Sequence, residues 1–108
     1  MVKTLIKGNG PAIESEQLVV TQYEGVNWRT GKVFDSSWQR HSPTAYLLGS
    51  GEAINAWETG LPGVTVGSRV LMVVPPADGY GSGGEPQGGI KGTDTLVFVV
   101  DVLGSYST

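Results

Sequence analysis

The chain has no cysteine, which removes disulfide staples, thiol nucleophiles and cysteine-bound metal together. It has a single histidine, His41, so neither a histidine-rich metal site nor a histidine dyad can be assembled. Basic residues are few. Seven Lys and Arg against ten Asp and Glu leave a net charge of −3, and no basic run occurs. Phosphate-backbone binding depends on clustered Lys and Arg, so nucleic acid is not an expected partner. Long hydrophobic runs are also missing. The longest, Val70 to Pro76, falls far short of the ~20 residues of a membrane-spanning helix, so no membrane insertion is expected. The first residues, Met1 to Leu5, lack the apolar core of a secretory signal.

What remains is a chain of one domain's length, residues 1–108, able to build a single core without metal or staples. Glycine is the surplus. There are 17 of them, more than twice the usual share of about 7%. At that density, without a repeat, they predict many tight turns and little helix.

Val2 to Lys7 reads as a first strand, closed by the turn cluster Gly8-Asn9-Gly10-Pro11. Leu18 to Glu24 is rich in β-branched residues and reads as a second, continued by Val26 to Arg29 beyond a bulge at Gly25. Thr30-Gly31 turns the chain into a return strand, Lys32 to Ser36, and Ala45 to Leu48 is a further short strand. From Glu52 to Gly60 the period changes. Ala53, Ile54, Trp57 and Leu61 gather on one helical face, with Ser50 as the expected cap and Gly60 as the stop. Arg69 to Val74 and Thr95 to Leu103 are the strongest strands. Between them, Pro75 to Asp94 forms a glycine-rich loop of a length that ordered domains seldom carry without a use for it. The order predicts an α+β domain, an antiparallel sheet wrapped over one helix.

Hydrolytic chemistry finds no footing. His41 lies in a polar stretch with no nucleophile motif beside it. Glu52, Glu58, Asp78 and Glu85 read as solvated charges rather than a glycosidase pair. The run Gly79 to Gly84 lacks the lysine and following helix of a phosphate loop. The aromatic residues carry more. Core packing alone explains Trp57 and Phe98. Tyr80 is different: held between Gly79 and Gly81 in a long loop, it reads as a side chain on display.

Six segments then line up. Gly31-Lys32-Val33-Phe34-Asp35-Ser36-Ser37, Leu48-Gly49, Ile54 to Leu61, Val66-Gly67-Ser68-Arg69, Gly79-Tyr80-Gly81 and Thr95-Leu96-Val97-Phe98 together resemble the FK506-binding-protein (FKBP) family of peptidyl-prolyl isomerases. They occur in family order and spacing across nearly the whole chain, about Val2 to Leu103. The resemblance implies the family fold, a twisted antiparallel half-barrel sheet around one short α-helix. It implies an apolar pocket that accelerates rotation about X–Pro bonds and so assists protein folding. In that pattern Trp57 is the pocket floor, and Tyr23, Phe34 and Phe98 are aromatic walls. The Ile54 backbone N–H and the Tyr80 hydroxyl hold substrate carbonyls, and Asp35 is the pocket carboxylate accompanied by Arg40. An ion pair with Arg40 that is purely structural explains Asp35 equally well.

The chain departs from the family at the edge. Thr44 replaces an aromatic, and Ala53 replaces a larger aliphatic, which widens that side. In the flap, residues 81–94, Glu85 and Gly88-Gly89 stand where the human prototype has histidine and apolar residues. That leaves Ile90 as the one large apolar cover. The resemblance implies no cofactor and no metal. Its partners are proline-containing peptides or unfolded proteins, with macrolides such as FK506 or rapamycin as ligands, and it implies a monomer. The compartment stays open, cytoplasmic for a protein standing alone and extracytoplasmic for a module of a larger bacterial one. The alternative reading is a proline-peptide-binding or chaperone module with little turnover. A third is carbohydrate stacking on Trp28 and Trp38.

Overall fold

Alternation of apolar and polar residues builds a sheet with one buried face. The computed structural model describes residues 1–51 and 53–107. Its elements are β1 (Val2–Ile6), β2 (Leu18–Asn27), β3 (Val33–Ser36), β4 (Thr44–Leu47), α1 (Asn55–Gly60), β5 (Arg69–Val74) and β6 (Leu96–Tyr106). The strands form one antiparallel six-stranded sheet in the order β1-β5-β6-β2-β3, with β4 also paired to β2. One edge of β2 thus takes two strands in succession. Leu18 to Thr21 pair with β4, and Glu24 to Val26 pair with β3. The sheet stays open and does not close into a barrel.

The inner face is a stack of cross-strand rows. Tyr23, Val100 and Val70 form one row, Gly25, Phe98 and Met72 the next, and Asn27, Leu96 and Val74 the third. All these non-glycine residues are buried. Helix α1 lies against this face with Trp57 buried, and Leu61 follows it into the core. Gly25 has a steric reason. A Cβ there would stand 2.6 Å from Phe34 Cζ and 2.8 Å from Phe98 Cε1, so two aromatic rings occupy the space a side chain would need.

Several boundaries differ from the sequence expectation. The helix begins at Asn55, three residues later than the apolar periodicity predicts. Ile54 is its N-cap, with extended backbone (φ −63°, ψ 157°). Ser50 does not cap it, because the Ser50 Oγ donates to the Leu47 carbonyl (2.6 Å) in the preceding turn. Glu52, the expected helix start, lies outside the described residues. Strand β2 runs unbroken through Gly25. A register shift does occur there, but only against β3.

The long loop is folded on itself rather than slack. It holds single 3-10 turns at Pro76–Asp78 and Pro86–Gly88 and a short bridge between Glu85 and Ile90. A Cβ on Gly92 would come within 1.8 Å of the Ser82 carbonyl oxygen, so the two arms of the flap touch backbone to backbone. Buried Asp94 anchors its end. It accepts from Asn27 Nδ2 (2.8 Å), Arg29 Nε (2.7 Å) and Nη2 (3.1 Å), and the Lys91 backbone N–H (2.8 Å).

Candidate functional site

Where β2, β4, β6, α1 and the loop converge, a cavity of about 140 Å³ opens. It is lined by Tyr23, Asp35, Tyr46, Ala53, Ile54, Trp57, Tyr80 and Phe98. An apolar cavity of ~150 Å³ holds a benzene-sized ring, so this one suits a single small ring and not a fused system.

Trp57 is the hub. Tyr23, Tyr46 and Phe98 meet its indole edge-on at centroid distances of 4.9, 5.0 and 5.8 Å. Such edge-to-face pairs contribute ~0.5–1.5 kcal/mol each beyond area burial. The indole Nε1–H is buried without a hydrogen-bond partner among the described residues. An unpaired interior donor costs ~1–3 kcal/mol, so ring packing and not a hydrogen bond holds the indole. Two backbone features follow from Ile54 being the N-cap. Its carbonyl accepts from the Trp57 and Glu58 N–H groups, and its own N–H at the cavity makes no hydrogen bond among the described residues.

One wall carries a polar cluster whose charges are matched internally. The Tyr23 hydroxyl donates to Asp35 Oδ2 at 2.5 Å. Arg40 pairs with Asp35 through Nη1, while its Nη2 donates to the Tyr23 hydroxyl (3.2 Å) and to Thr44 Oγ1 (3.0 Å). Burial, and after it the carboxylate of Asp35, holds the Tyr23 hydroxyl protonated far above its ordinary range. Tyr80 is pushed up as well, first by burial and then by the charges of Asp35 and Glu85.

The structure therefore brings seven of the sequence candidates to one cavity: Tyr23, Asp35, Ala53, Ile54, Trp57, Tyr80 and Phe98. The other four stand elsewhere. Phe34 is not on the lining but supports it, edge-on to Phe98 (5.5 Å) and Tyr80 (6.3 Å). Arg40 and Thr44 lie behind Asp35. Ile90 does not cover the cavity. It is 3% exposed and sits in the core cluster, because the Glu85–Ile90 bridge turns it inward.

A model of the FKBP-type peptidyl-prolyl cis-trans isomerases matches residues 10–103. The chain belongs to this family. The FK506-binding protein of Streptomyces anulatus is 37% identical over 94% of this chain and 82% of its own length. The peptidyl-prolyl cis-trans isomerase FKBP1A of Xenopus laevis is 37% identical over 94% of each. Among solved structures, FkpA from Escherichia coli matches with a TM-score of 0.86 at 33% identity. The match covers 98% of this chain and 47% of that one.

In this isomerase domain one lining residue escaped the sequence reading. Tyr46 lies on β4 two positions after Thr44, hence on the same face of the strand, and β4 pairs it with Val19 of the buried face of β2. The available signal was that i, i+2 relation. The aromatic expected at position 44 is supplied two residues on, while Thr44 binds Arg40 instead.

Proposed function

We propose that this domain accelerates X–Pro rotation by desolvating and twisting the bond within the Trp57 cavity. The observation that carries the reading is a ring-lined cavity of single-ring size that Tyr80 also lines, with a backbone N–H at Ile54 that makes no hydrogen bond among the described residues. The proline ring enters over Trp57. The Ile54 N–H and the Tyr80 hydroxyl hold flanking carbonyls, and Phe98 and Tyr23 form the walls.

The barrier to rotation is ~18–20 kcal/mol because the planar amide is stabilised by a dipolar resonance form. Water favours that dipole. An apolar cavity excludes the water and so favours the twisted amide, which has less charge separation. A reduction of ~5–8 kcal/mol corresponds to roughly 10⁴–10⁶-fold acceleration. No covalent step and no proton transfer is needed. The Asp35 carboxylate orders Tyr23 and Arg40, which between them pair its two oxygens at the cavity wall.

The substrates in this reading are proline-containing peptides and unfolded chains. The FK506-binding relatives support macrolides of the FK506 kind as competing ligands. One chain builds the whole cavity, so the proposed reaction needs no second copy.

The test is a protease-coupled isomerisation assay on a short X–Pro peptide, with and without FK506. Acceleration inhibited by the macrolide is expected, with a loss of at least tenfold in Trp57→Leu. Peptide binding without acceleration would replace the isomerase reading with that of a binding module. Unchanged turnover in Trp57→Leu would remove the indole as floor.

A further inference from the structure

The proton count around Tyr23 leaves one hydroxyl of the cavity uncommitted. A tyrosine hydroxyl has one hydrogen to donate. That of Tyr23 goes to Asp35 Oδ2 at 2.5 Å, an acceptor-only carboxylate held by Arg40. The Tyr23 oxygen already accepts from Arg40 Nη2 at 3.2 Å. In its 3.4 Å contact with the Tyr46 hydroxyl, Tyr23 therefore acts as acceptor, and Tyr46 is the donor. An O–H···O bond normally measures ~2.7–2.8 Å, so 3.4 Å is a weak resting place for that hydrogen. No other hydrogen bond involves the Tyr46 hydroxyl among the described residues, and Tyr46 lines the cavity.

Packing fixes its direction. The Tyr46 ring stands edge-on to Trp57 at 5.0 Å and tilted to Tyr23 at 6.5 Å, so the hydroxyl cannot move far from the floor. Rings connect Tyr80 through Phe34, Phe98 and Trp57 to Tyr46, each touching the next. Tyr80 and Tyr46 are the two ends of that chain, and each carries a hydroxyl.

We propose that the Tyr46 hydroxyl is a second substrate-binding donor, which leaves Tyr23 to bond a carbonyl of the proline peptide on the β4 side of the cavity. This rests on the isomerase reading above. An aromatic without a hydroxyl at this position would leave that carbonyl desolvated and unpaired. The hydroxyl therefore favours peptides whose backbone reaches past the proline ring toward β4, over isolated proline-like rings.

The experiment measures kcat/KM for an X–Pro–Phe anilide peptide with the wild type, Tyr46→Phe, Tyr23→Phe and the double variant, with thermal unfolding of each. A neutral hydrogen bond lost at a binding site predicts a fall of about 3–10-fold in Tyr46→Phe. Its Tm should change little, because the only intramolecular bond lost among the described residues is 3.4 Å long. The fall should persist in the Tyr23→Phe background, where Tyr46 has no internal partner. If the penalty vanishes in that background, Tyr46 acts only by ordering Tyr23, and the proposal is overturned. Equal kcat/KM in wild type and Tyr46→Phe overturns it as well. An inactive wild type is a separate result, one that removes the isomerase reading itself.

Discussion

Gly25 offers the sharpest test of whether wall position sets the rate, because it touches no substrate in the proposed mode. A methyl group there would lie 2.6 Å from Phe34 Cζ and 2.8 Å from Phe98 Cε1. Carbon atoms in contact rest at ~3.5–4.0 Å, so each ring must retreat by roughly 1 Å. The two rings differ in their freedom. Phe34 is only half-buried and swings outward. Phe98 is 3% exposed and boxed in by Tyr23 (6.2 Å) and Trp57 (5.8 Å), so it moves only by displacing the floor or entering the cavity.

Overpacking of this kind costs ~1–3 kcal/mol, and a domain of this size loses ~4–8 °C of Tm per kcal/mol. Gly25→Ala is thus expected to lower Tm by about 4–24 °C. At temperatures where it remains folded, a wall shift near 1 Å predicts a loss of roughly 10–100-fold in kcat/KM. Circular dichroism melting and the protease-coupled assay measure the two effects separately. Adding Phe34→Leu removes the nearer clash and should recover part of the Tm but little of the activity, since the Phe98 contact remains. Full activity in a folded Gly25→Ala chain would refute the idea that ring placement controls catalysis.

Other consequences follow from the electrostatics. Tyr23 and Tyr80 are held as neutral hydroxyls and no histidine or lysine lines the cavity, so kcat/KM should be level between about pH 6 and 8. A bell-shaped profile in that window would require an acid or base the mechanism does not contain. Asp94 predicts a pH effect on stability instead. Arg29, then the Lys91 N–H and Asn27, hold its carboxyl well below the usual carboxylate range. The unfolded chain therefore takes up a proton first as pH falls from ~5 through its ordinary value near 3.9. This contribution is complete above that range and is lost toward acid. Asp94→Asn should melt lower at pH 7 and show a flatter decline in Tm from pH 5 to 3. Parallel declines in the two proteins would mean that Asp94 is not the linked group.

Strands were the legible part of the fold because alternation is a strong signal wherever one face is buried. Arg69 to Val74 is a strand at the residues expected, and Leu96, Phe98, Val100 and Val102 all point inward as the pattern requires. The helix start was not legible. Ala53 and Ile54 continue an apolar face in sequence, but Ile54 is extended and the turn before it uses Gly49 and Gly51 at positive φ. A short helix with no side-chain cap leaves nothing local to mark its first residue. The anchor Asp94 was equally hidden, since its partners Asn27 and Arg29 lie 67 and 65 residues away.

The cavity tells a similar story about range. The rings of Tyr23, Trp57, Tyr80 and Phe98 were identifiable as a set only through the family pattern, for each alone reads as core or surface. Position 44 shows why a pattern read residue by residue misplaces a wall. Thr44 and Tyr46 share a face of β4, so an aromatic lost at the first can be regained at the second without altering the strand's register. The exchange also changes the chemistry. Thr44 supplies Arg40 with an acceptor that a phenyl ring lacks, which helps hold the guanidinium on Asp35 and away from the cavity. Tyr46 restores the apolar surface and brings a hydroxyl with it. The guanidinium is thus kept behind the wall, where it neutralises the one carboxylate of the lining, Asp35, while a neutral donor is left inside. That is the arrangement a desolvation mechanism requires, because a neutral donor can hold a carbonyl without bringing water or a net charge to the rotating bond.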